Sequence, residues 1–157
     1  MAPDSDARNE ASATNLFEQE VATCFSGLLT SLGFEGPHFS HHEDNLLGRV
    51  LKADYRSDRR KIAIRIIPGH PQEKPAFSMY LYRLPRKGLD DTMEMRLFTR
   101  KYRPDLDAAL EGVRATSSTL ETFIRSALPI GRTLLEDDAK EFVAGERWET
   151  GLYTPWT

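Results

Sequence analysis

A chain of 157 residues, 39% hydrophobic and 29% charged, is long enough to bury one core without cross-links, and its composition is neither that of a disordered chain nor that of a membrane-embedded one. One cysteine, Cys24, excludes an internal disulfide framework and any multi-cysteine zinc site, which is compatible with a reducing cytoplasm. The formal net charge of -3 conceals a division: residues 1–48 carry one Lys/Arg against eight Asp/Glu, residues 49–103 fifteen against six, and residues 104–157 five against ten. A basic middle between acidic flanks either neutralises itself within the fold or turns a positive surface toward a negative partner.

The first residues, MAPDSDARNEASATN, have no apolar core of a signal peptide and no basic residue before Arg8. No later run is long and apolar enough for a bilayer, so a cytoplasmic location and no membrane partner are expected. Residues 1–14 read as a flexible leader, residues 15–145 as one α+β domain and residues 146–157 as an aromatic tail. Phe17, Val21, Cys24, Phe25, Leu28 and Leu32 recur at helical spacing, with Asn15 and Glu18 as a capping pair and Gly33 as a left-handed stop. The spacing predicts a helix over residues 16–32, with Phe34 packing back on Leu29.

From Leu47 the pattern becomes alternating. LGRVLKADY, the segment holding Ile62, Ile64 and Ile66, then AFSMYLYRL and MEMRLFTRKY read as four strands of an antiparallel meander, joined by RSDRR, PGHPQEKP and PRKGLDD. Helical spacing returns at Leu106, Leu110, Val113, Leu120 and Ile124, with a break at ATSST and a Ser118/Glu121 capping box. LPIG reads as the end of that helix or pair. Thr133 with Glu136 reads as a new start, with Asp137 and Asp138 at its positive end and Gly145 as its stop. The expected order is one helix, four strands, then two or three helices packed on one sheet face.

HFSHHED, residues 38–44, places three of the four histidines beside two carboxylates. After Gly33, Gly36 and Pro37 it reads as a solvated loop, and no HExxH or cysteine pair accompanies it, even with His70 in a later loop. Ser40 beside His41 lacks the context of a nucleophile elbow, and Cys24 on the apolar stripe reads as a core residue. No catalytic residue, metal ligand or cofactor is therefore assigned, and a metal or proton-transfer role for His38, His41 and His42 stays open as the minor alternative.

The face of the sheet away from the helices carries more chemistry. Alternation assigns Arg65, Tyr80, Tyr82, Arg96, Phe98 and Arg100 to it, the residue types that bury large area with few rotamers or grip carboxylates with a rigid fork. The last ten residues, WETGLYTPWT, add Trp148, Tyr153 and Trp156, rings that must dock on this domain or on a second chain. Together these nine residues are the candidate partner-binding set.

The layout, with FSGLLTSLGF ending a first helix before a short meander and closing helices, resembles that of many small bacterial toxin-neutralising immunity proteins and some secretion chaperones. The resemblance implies a non-enzymatic protein-binding module and carries no residue role with it. The expected partner is another protein with an acidic surface, or a second copy of the chain. Single-stranded nucleic acid, held by stacking rings and arginines, ranks behind, because the pI is about 5.8 and no RNP1-like run is present. A small metal-dependent enzyme comes third.

Overall fold

The computed structural model describes the backbone of residues 3–69 and 73–153, with side chains from residue 10 onward. The opening helix is longer than its capping signals imply. It runs as α1 (Pro3–Val21), a π-helical turn (Ala22–Ser26) and α2 (Gly27–Ser31). A π turn inserts one extra residue, so Val21, Phe25 and Leu29 are all fully buried at four-residue steps. The end is a Schellman motif: the Phe34 N–H donates to the Leu29 carbonyl at 2.9 Å and the Gly33 N–H to Thr30 at 3.0 Å. Gly33 takes φ +88°, a left-handed conformation that suits glycine.

Five antiparallel strands follow in the spatial order of the sequence: β1 (Glu35–Asp44), β2 (Gly48–Arg56), β3 (Arg60–Ile67), β4 (Ala76–Arg83) and β5 (Thr92–Glu94). Registry places Leu51, Ala53 and Tyr55 opposite Ile66, Ile64 and Ile62, and those isoleucines opposite Phe77, Met79 and Leu81. This aliphatic face is the one the helices cover, and it forms the core with Phe17, Phe25, Phe98, Phe123 and Leu128. The Ser26 and Tyr55 hydroxyls share a hydrogen bond of 2.8 Å that ties the first helix to β2.

Two strand assignments change. HFSHHED lies within β1, an edge strand and not a loop. It pairs with β2 through the backbone, with Phe39 opposite Ala53 and His42 opposite Val50, although Phe39 is its only large apolar side chain. Its exposed histidines and acids suit an unpaired edge, where polar side chains discourage a further strand from adding. MEMRLFTRKY is strand only as far as Glu94; α3 (Met95–Tyr102) takes the rest. Met95, Phe98 and Thr99 fall on one helical stripe and are buried, so burial of that stripe prevails over the alternating pattern.

The remaining helices are α4 (Pro104–Thr116), α5 (Leu120–Glu136) and the single turn α6 (Lys140–Val143). The break at ATSST is present, with the Thr119 hydroxyl and not that of Ser118 accepting the Thr122 N–H at 3.1 Å. LPIG does not end a helix, because α5 runs through it with Pro129 inside. Pro129 is on the exposed side, where water can take the carbonyl that proline leaves unpaired, while Leu128, Gly131, Leu134 and Leu135 on the other side are buried. Thr133 is accordingly in the last turn of α5 and starts no new helix, and Asp137 and Asp138 follow the helix end, within 3.8 and 2.5 Å of Arg103. Gly145 does act as a stop, at φ +88°. Among the described residues no helix is long and apolar enough to cross a membrane.

Candidate partner-binding face

Because β-strand side chains alternate, the face opposite the helices carries Lys52 and Asp54 from β2, Lys61 and Arg65 from β3, and Ser78, Tyr80 and Tyr82 from β4. The sheet's pleat brings Tyr80 and Tyr82 side by side, with ring centroids 6.3 Å apart and planes within 21° of parallel. The Arg65 guanidinium carbon lies 4.7 Å from the Tyr80 centroid, and its Nε and Nη2 donate to the Ser78 and Tyr80 hydroxyls at 3.2 and 3.1 Å. Tyr82 receives Lys61 at 5.7 Å and Arg86, from the β4–β5 connection, at 4.9 Å. The result is a ladder of two rings held among three cations, each contact worth about 0.5–1 kcal/mol where water still reaches it.

Arg65, Lys61 and Arg86 make no ion pair among the described residues. Lys52 is 3.6 Å from Asp54, whose Oδ1 is buried without a hydrogen-bond partner among those residues. Burial raises the hydroxyl pKa of Tyr80 and Tyr82, with Arg65 and Arg86 respectively opposing it, so both phenols stay protonated near neutrality. The face offers rings and guanidinium forks, while the unpartnered Asp54 oxygen is sealed beneath its surface.

The C-terminal segment docks beside this face. Trp148 lies between Arg60 and Arg83, whose guanidinium carbons are 4.8 and 5.2 Å from its ring, and its Nε1 donates to the Asp90 carbonyl at 2.7 Å. Arg60 is itself buried, and its Nε donates to the Phe142 carbonyl at 2.7 Å at the end of α6. The Glu94 N–H on β5 donates to the Leu152 carbonyl at 2.7 Å, and Tyr153 meets Tyr80 edge-on at 6.2 Å. Glu149 accepts from the Tyr102 hydroxyl and from Lys101.

Of the nine residues singled out from the sequence, Arg65, Tyr80, Tyr82 and Tyr153 come together here. Trp148 anchors the tail on the other, helix-covered side, where alternation also puts Arg60 and Arg83, and Trp156 lies outside the described residues, as does His70. Arg96 belongs to α3 and not to the sheet, yet its Nε comes 3.2 Å from Glu94 Oε1 at the margin of the face. That contact is between charges and is not an aligned hydrogen bond, since the Nε has no hydrogen-bond partner among the described residues. Phe98 and Arg100 are misplaced by the strand reading: Phe98 is 1% exposed in the core, and Arg100 stands 3.6 Å from Asp107 across α3 and α4.

Sequence reasoning omitted Lys61 and Arg86 from the site. Parity with Arg65 is the signal for Lys61, whereas Arg86 sits in a turn where no periodicity applies. Cys24 is buried, and burial raises its thiol pKa, which leaves it a poor nucleophile. Among the described residues no group of three His, Cys, Asp or Glu side chains is placed to hold a metal ion. Comparison with family models, with curated proteins and with solved structures finds no match.

Proposed function

We propose that this protein is a non-enzymatic protein-binding module, of the immunity or chaperone/adaptor kind, whose sheet face takes an acidic segment of a partner protein. One observation supports the reading above the others: three cations are packed on two tyrosine rings, with no carboxylate assigned to them among the described residues. A partner carboxylate meeting Arg65 or Arg86 would find a guanidinium already oriented by its ring, so little side-chain entropy is lost on binding.

The experiment is affinity isolation from the native host with an amine-reactive cross-linker, followed by binding of the identified partner at several salt concentrations. The expected result is cross-linking through Lys61, affinity that falls as salt rises, and at least about a tenfold loss in a Tyr82→Ala/Arg86→Ala double variant. A partner whose cross-links avoid this face, or whose affinity the double variant leaves unchanged, overturns the reading. Salt-sensitive binding of mixed single-stranded oligonucleotides that the same variant abolishes would replace it with nucleic-acid binding.

A further inference from the structure

β5 pairs with only Tyr80, Leu81 and Tyr82, so the outer edge of β4 from Ala76 to Met79 has no strand beside it. A cleft of about 240 Å³ occupies that place, enclosed by α3, α4 and α5. Its walls include Ala76, Phe77, Ser78 and Met79. Side chains of successive strand residues point to opposite faces, so four in a row can line one cleft only through the strand's edge. The cleft is therefore the gap left where the chain abandons the sheet for α3.

The interior is apolar, walled by Met95, Leu106, Leu110 and Phe123 besides the strand. None of the residues of α4 is fully buried, and Leu106 and Leu110 are half-buried against the opening. The mouth is charged. Arg96 sets its Nε 3.2 Å from Glu94 Oε1 while its side chain stays 40% exposed, and Arg114 spends its Nε on the Pro75 carbonyl at 3.0 Å. Of the acids there, Asp107 is engaged by Arg100 at 3.6 Å and Glu111 is exposed to solvent. The rim offers an acceptor the guanidinium N–H groups that the Glu94 and Pro75 contacts leave over.

We propose that this cleft binds a medium-chain aliphatic carboxylate, its chain among Met95, Leu106, Leu110 and Phe123 and its carboxylate on Arg96 and Arg114. A cleft of about 240 Å³ has room for an aliphatic chain of several carbons, for which octanoate serves as the probe. A hydrocarbon chain matches apolar walls that water solvates poorly, and a carboxylate accepts from a guanidinium with charge assistance. The site does not depend on what occupies the Tyr80/Tyr82 face.

Calorimetric titration of the full chain with sodium octanoate, below its micelle threshold, tests the proposal, with octanol, octylamine and butyrate as comparators. Octanoate is expected to bind once per chain, and each comparator at least about tenfold more weakly. Arg96→Gln should weaken octanoate by about tenfold and leave octanol unchanged. Leu110→Trp, which fills the cleft, should abolish both without lowering the melting temperature. The Tyr82→Ala/Arg86→Ala variant should bind octanoate as the parent does, which separates this site from the partner face. Methionine methyl resonances give a readout that needs no variant: Met79 and Met95 should shift on titration. Absence of saturable octanoate binding, equal binding of octylamine, or binding with both methyls unmoved overturns the site.

Discussion

Gly131 shows how a single residue sets the spacing between layers. A Cβ built there would lie 2.8 Å from Phe77 Cζ and 3.2 Å from Met79 Cε, so a side chain at this position would force those two side-chain tips to shift. Gly131→Val should destabilise the fold by about 1–3 kcal/mol in urea unfolding, the usual cost of overpacking, and an unchanged midpoint would refute the close contact. The sequence presents this glycine two residues after Pro129, a pair that reads locally as a helix stop. The two serve opposite sides of one continuous helix, a fact that depends on what each side touches. Arg65, Tyr80 and Tyr82 were legible because parity along a strand is a local property. The partnership of Arg86 with Tyr82 was not, since it depends on how a turn folds back.

At the scale of the element, the segment Met93–Tyr102 carries two periodicities at once. Met93, Met95 and Leu97 alternate as a strand would, while Met95, Phe98, Thr99 and Tyr102 recur as a helix would. A ten-residue run cannot arbitrate between them; the edge-to-face contact of Phe98 with Phe142, at 5.2 Å, belongs to the helical solution. Phe98→Ala should therefore cost about 3–5 kcal/mol, as core phenylalanines do. A solvent-facing ring would cost about 0.5 kcal/mol or less, so thermal unfolding of this variant separates the two arrangements. β1 was illegible for a different reason. Its strand character comes from backbone pairing along β2, which leaves no hydropathy signal in histidines and acids. The first helix, by contrast, was readable over Phe17–Leu32 because its stripe, its glycine stop and its packing all agree.

For the molecule as a whole, the C-terminal segment joins the helical layer to the sheet's last strand. Glu149 is held mainly by the Tyr102 hydroxyl and then by Lys101, and both lower its carboxyl pKa below the ordinary glutamate range. The contact therefore exists above that range and is lost as pH falls through the depressed value. Trp148 fluorescence, followed in a Trp156→Phe background, should report release of the segment on acidification. Tyr102→Phe should move the midpoint upward, toward an ordinary glutamate. A midpoint indifferent to Tyr102 would mean that Trp148 and its two arginines hold the segment without help from Glu149.

Each strand of the sheet lies next to its neighbour in sequence. Successive hairpins can therefore close one after another over short loops, each at small entropic cost and none waiting for a remote segment. Long-range meetings include that of α5 with α1 and that of Arg60 with the Phe142 carbonyl. Assembly should divide accordingly, with early and local zippering of the meander, then a slower closure in which the two ends seal its aliphatic side.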